Sequence, residues 1–133
     1  MVPIGGKGFE FAVAMNSYDF SALVEDWVSS KKNCRCHGER FSAWSDAPAE
    51  VMKGLEVLGA LEAPANGRSF EKVQFSGKNY WDTEYPIALS YYPQTEAVVL
   101  SCPKCGAIFL SYAEESGHFP QLRLRLVRLH LIV

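Results

Sequence analysis

At 133 residues the chain is long enough for one domain with a real core, yet short enough to gain from a staple. A formal charge of −2 excludes a surface built throughout for nucleic acid. No apolar run reaches the ~18–20 residues of a membrane helix, and Met1 to Lys7 lacks the basic start and long apolar segment of a secretion leader. A cytoplasmic address is therefore expected, where thiols stay reduced. The charge is uneven. Residues 121–133 hold Arg123, Arg125 and Arg128 and no acid, which is +3 and leaves −5 for residues 1–120.

In chain order, Phe9, Phe11 and Val13 alternate with Glu10 and Ala12, the period of a half-buried strand. Asn16 and Ser17 offer capping side chains, and Asp19 adds negative charge at the positive end of a helix dipole. Phe20, Leu23, Val24, Trp27 and Val28 then form one apolar stripe, which predicts a helix over about 19–30. Lys31, Lys32 and Asn33 close it and lead to Cys34-Arg35-Cys36-His37-Gly38. A short strand is expected over 39–44. Ser45 to Pro48 reads as a second helix start, with an acid to cap and Pro in the first turn. Val51, Leu55, Leu58 and Leu61 extend that helix over about 47–62, although Gly54 and Gly59 weaken it by up to ~1 kcal/mol each.

Val73 and Phe75 suit a strand over about 69–75. Tyr80, Trp81, Tyr85, Tyr91 and Tyr92 follow within 13 residues. Aromatics with polar tips suit a boundary between dry and wet. They read either as a loop lid over the core or as a partner-binding surface, since such residues dominate binding hot spots. Strands are expected over 96–101 and 107–113, a turn at 114–118, and a last strand over 121–133. In that strand Leu122, Leu124 and Leu126 face one way and Gln121, Arg123 and Arg125 the other. The parity slips afterwards, which predicts a bulge near Leu126 and Val127.

Chemistry concentrates in the four cysteines, Cys34, Cys36, Cys102 and Cys105. Cys102-Pro103-Lys104-Cys105-Gly106 is a knuckle able to grip one metal ion from two sides, with Gly106 free to take positive φ beneath it. Zinc prefers four ligands in a tetrahedron, and the first pair supplies the missing two. One structural zinc held by four thiolates is the leading reading; unrelated buried thiols and a pair of disulfides compete with it.

A Cys-x-x-Cys-Gly turn between antiparallel strands, with a third strand after it, resembles the zinc ribbon. The resemblance covers about 34–38 and 96–133. It departs from the family in its Cys-x-Cys first pair and in a long insertion that includes the second predicted helix. It implies a structural metal closed by protein, with Cys34, Cys36, Cys102 and Cys105 as ligands and nothing catalytic. His37 competes for a ligand place. His37-Gly38-Glu39 with Cys102-x-x-Cys105 also resembles the zinc deaminases, in which case His37, Cys102 and Cys105 would hold zinc, water the fourth place, and Glu39 would shuttle protons. Ser101 in place of that family's Pro, a strand-like sequence after Gly106, and two cysteines left without a task oppose this reading.

His118, in Gly117-His118-Phe119-Pro120, reads as a loop residue. The arginines of the last strand read as partners of acids such as Glu114 and Glu115, or as a stripe for phosphates. The stretch from Cys102 through Tyr112, Gly117 and His118 to Arg128 also resembles small bacterial immunity proteins encoded beside polymorphic toxins. That resemblance implies a zinc-stabilised protein that binds a toxin domain, with Tyr80, Trp81, Tyr85, Tyr91 and Tyr92 as contact residues. Together these observations predict an α+β domain, two helices on an antiparallel sheet that includes a zinc-ribbon unit. It is read as a non-enzymatic protein-binding module, with a nucleic-acid- or transcription-associated ribbon second and a deaminase-like hydrolase third.

Overall fold

The computed structural model describes residues 14–29, 38–62, 69–72, 79–89, 91–92, 94–114 and 121–132. Those residues form an α+β fold around a six-stranded sheet, mostly antiparallel. The predicted strand at Phe9 to Val13, the loop at His118, and Cys34, Cys36 and His37 lie outside the described residues. Among the described residues no helix is long and apolar enough to cross a membrane.

Strand β1 (Ala14–Met15) leads into helix α1 (Ser17–Ser29). Asn16 caps that helix. Its Oδ1 accepts from the Asp19 amide at 2.8 Å, and its carbonyl accepts from Phe20 N–H at 3.0 Å. Phe20 and Val24 are buried, Leu23 and Trp27 pack at the margin, and Val28 is exposed, so the stripe is narrower than its spacing suggests.

The short strand expected over 39–44 is instead a 3-10 turn, Gly38–Phe41, followed by β2 (Ser45–Asp46). The second helix is shorter than expected. Helix α2 covers Ala49–Lys53 only, with Pro48 at its N-cap and Gly54 at its end. Asp46 is not the cap; it lies in β2 and pairs with Arg123. The rest of the expected helix is strand β3 (Glu56–Leu61).

Tertiary demand explains the change. Strand β6 (Val98–Ser101) is buried at every residue and needs a hydrogen-bonding neighbour on both edges. One is β7 (Ile108–Glu114); β3 is the other, with a register shift between Val57 and Gly59. The outer edge of β3 pairs in parallel with β1.

Strand β8 (Gln121–Leu126) pairs antiparallel with β7, and β2 covers part of its other edge, giving the order β1-β3-β6-β7-β8-β2. No bulge carries β8 onward. The strand ends at Leu126, and a 3-10 turn (Leu129–Leu131) follows. Strands β4 (Ser69–Lys72) and β5 (Tyr91–Tyr92) form a separate parallel pair.

Both faces of the sheet are covered. On one, α1, the segment around Tyr85 and Ile87, and Leu131 enclose Val99, Ile108, Leu110 and Tyr112. On the other, Phe41 and Val51 enclose Val98, Leu100, Phe109 and Leu124 together with Cys102 and Cys105.

Candidate metal centre and aromatic loop

The knuckle closes the hairpin between β6 and β7. Cys102 N–H donates to Ala107 O at 2.9 Å, and Gly106 N–H folds back to Cys102 O at 2.7 Å. Gly106 sits at φ +82°, a conformation costly to a residue with a Cβ. The turn aims Ala107 N–H at Cys105 Sγ, 3.4 Å away. A backbone amide directed at sulfur favours the electron-rich state that a metal ligand needs. Both cysteines are buried, while Pro103 and Lys104 face solvent.

The neighbourhood also bears on the first cysteine pair. Trp27, near the end of α1, packs against the cysteine-containing cluster; its Cδ1 would lie 3.6 Å from a Cβ built on Gly106. Phe41 is a fully buried member of the same cluster. Trp27 and Phe41, described residues on either side of the segment 30–37, thus both lie in the surroundings of the knuckle. The described residues alone gather no group of three or more metal-ligating side chains. Cys102 and Cys105 fit half of a tetrathiolate site in position, burial and backbone geometry.

The other sheet face carries the aromatic segment, residues 79–89. Its start is a tight turn, with Asp82 Oδ2 accepting from Asn79 N–H at 2.8 Å and Asn79 Oδ1 from Trp81 N–H at 2.9 Å. Tyr85 is core, not surface. Tyr80 is half-buried, stacks parallel to Trp44 at 6.1 Å, and shares a hydroxyl hydrogen bond with Tyr112. Tyr112 in turn donates to Glu114 Oε2 at 3.0 Å. Burial above all, reinforced by the Tyr80 and Glu114 contacts, pushes the Tyr112 hydroxyl far above the ordinary phenol range. Trp81 is 55 % exposed. Tyr91 and Tyr92 make up β5.

The arginines of β8 and beyond do not form an exposed stripe; among the described residues their acid partners are Asp46 and Glu84, while Glu115 lies outside the described residues. Arg125 is 0 % exposed. Its Nη2 donates to Tyr85 O at 2.5 Å and Thr83 O at 3.2 Å, while Nε and Nη1 find no acceptor among the described residues. Burial, then Arg128 nearby, draws its guanidinium down to about 10, so it remains charged near neutrality. Arg128 binds Thr83 O and Glu84, and Arg123 pairs with Asp46 and lies over the Trp81 ring, 5.0 Å from its centroid.

Arg125 as an anchor for the aromatic loop is the role that sequence reasoning missed. A signal for it exists. Arg125 lies opposite Leu110 in the register, and the alternation of Ile108, Leu110 and Tyr112 marks that face as covered.

No family model matches this chain, and neither does any curated protein or solved structure.

Proposed function

We propose that this chain is a non-enzymatic, zinc-stabilised protein-binding module of the cytoplasm, a toxin-neutralising immunity protein in its most specific form. The knuckle carries the reading: two buried cysteines on a left-handed glycine turn, one receiving a backbone N–H, with Trp27 and Phe41 bringing the other pair's flanks to the same cluster. Cys34, Cys36, Cys102 and Cys105 would hold one zinc ion, which would supply structural cross-linking. Four thiolates fill a tetrahedron and leave no place for a reacting water. The strand that opens at Ile108, where the deaminase pattern opens a helix, also favours a structural metal over a hydrolase.

Two measurements test this. Elemental analysis with an absorption-edge spectrum is expected to find one zinc per chain in an all-sulfur shell; an oxygen neighbour would overturn the closed site. Co-expression with the protein encoded by the adjacent gene is expected to yield a stoichiometric complex that suppresses that protein's toxicity. Undiminished toxicity would remove the immunity reading.

A further inference from the structure

We propose that the ledge around Trp81 docks a cationic protein segment, with an arginine or lysine side chain laid against the solvent-exposed part of the Trp81 ring. This rests on the reading of the chain as a protein-binding module and gives that module a contact surface and a partner chemistry.

Orientation of charge is the first argument. Among the described residues the ledge borders three arginines and the acids Asp46, Asp82 and Glu84, so their formal sum is near zero, but the two signs are not equally displayed. In the Arg123–Asp46 pair the arginine side chain is 14 % exposed and the carboxylate 72 %. In the Arg128–Glu84 pair the acid is again the more exposed partner, and Arg125 is wholly inside. His130 Nε2 also contacts Glu84, at 3.2 Å, on the solvent side. The +3 of the C-terminal segment is thus the charge turned inward, and a partner meets the carboxylates first. A basic surface is steered toward such a rim.

Presentation is the second. An exposed Trp contributes to binding in proportion to how little it must be ordered on contact. Here the indole is already held. Arg123 covers one face, the Tyr80 ring meets it edge-on at 4.7 Å, and the loop is pinned from below by Arg125 and Arg128 through Thr83 and Tyr85 carbonyls. A pre-ordered aromatic face beside carboxylates is the chemistry that receives a guanidinium or ammonium group. Nucleic acid would meet acids at the same rim and is disfavoured.

The test uses the full chain and a labelled Gly-Arg-Ser repeat peptide, with Gly-Glu-Ser and Gly-Gln-Ser repeats of equal length and a single-stranded RNA as the other arms. The arginine peptide is expected to bind, to move the Trp81 indole N–H resonance, and to weaken as salt rises. Trp81→Ala is expected to weaken it by at least ~10-fold. Asp46→Asn combined with Glu84→Gln should weaken it by about 3-fold or more and flatten the salt dependence. Glu50→Gln, an exposed acid on α2, should change nothing. Equal binding by Trp81→Ala, absence of binding by the arginine peptide, or Trp81-dependent binding of RNA in its place would overturn the proposal. Zinc content of the same sample separates the two readings. Peptide binding without zinc removes the staple alone, and zinc without peptide binding removes the ledge alone.

Discussion

The two faces of the sheet solve the same packing problem with opposite materials. On the knuckle face, Val98, Leu100, Phe109 and Leu124 meet Phe41, Val51 and two cysteines, so what is buried there is mostly hydrocarbon and sulfur. On the aromatic face, the same strands place Tyr112 and Arg125 among Val99, Ile108 and Leu110. Burial of apolar area is non-directional and holds elements together without fixing a particular loop. A buried guanidinium bonded to two carbonyls is directional, and it fixes the residues that own them, Thr83 and Tyr85. The first face is therefore built for stability and the second for the placement of one surface segment.

The strongest way to break this comparison is to attack the knuckle. If a zinc staple joins the two cysteine pairs, Cys102→Ala removes a ligand and releases the metal, and the whole fold should weaken because the ligands lie far apart in sequence. The melting temperature is expected to fall by more than ~10 °C, and chelation of the unaltered protein should do the same. A fall of under ~5 °C, the scale of trimming one buried thiol in a dry core, would show that the sulfurs only pack.

Arg125→Met comes next and should behave differently in kind. It leaves the Tyr85 carbonyl without its donor and the Thr83 carbonyl with Arg128 alone, but also removes a buried charge with two unpartnered nitrogens, so the net loss should be only ~1–3 kcal/mol. Its mark should be local. Hydrogen exchange is expected to quicken at Asp82 and Tyr85, whose amides close the turn, while the amides of β6 and β7 keep their protection relative to global unfolding. Arg125→Lys should not restore the loop, because one ammonium cannot reproduce the planar fork. Uniform acceleration across the sheet would mean that Arg125 is ordinary core.

How much of this was legible in the sequence follows the same division. Helix α1, the knuckle hairpin and the start of β8 rest on local signals: a capping Asn16, a 3.6-residue stripe, and Gly106 after Cys-x-x-Cys. What failed was set by distant neighbours. Val51, Leu55, Leu58 and Leu61 have helical spacing, but Leu58 and Leu61 pack on one sheet face while Val51 and Leu55 pack on the other. A stripe that divides in this way is a helix followed by a strand, and only the demand of β6 for a second neighbour shows it. Arg125 failed for a related reason. Charge suggested solvent, whereas register with Leu110 placed it under a loop 40 residues away in sequence.

The smallest expected effect tests whether the exposed rim takes any part in stability. The hydrogen bond from His130 holds the Glu84 carboxyl below its ordinary 4.5 against the opposition of desolvation, with the Arg128 charge assisting. A carboxyl with a lowered folded-state value adds stability above the unfolded value and loses it as pH falls through the folded one. The contribution of Glu84 should thus be complete well above pH 4.5 and be lost progressively as pH falls from there through the lower folded-state value. Glu84→Gln should be slightly less stable than the parent near neutrality, and the two melting curves should converge on acidification. Because the acid and His130 stand in solvent and Arg128 is partly exposed, added salt should narrow the gap at neutral pH. A gap that persists unchanged in strong acid would mean that Glu84 acts through packing or through the Thr83 turn. The rim would then belong with the structural face of the molecule and not with the displayed one.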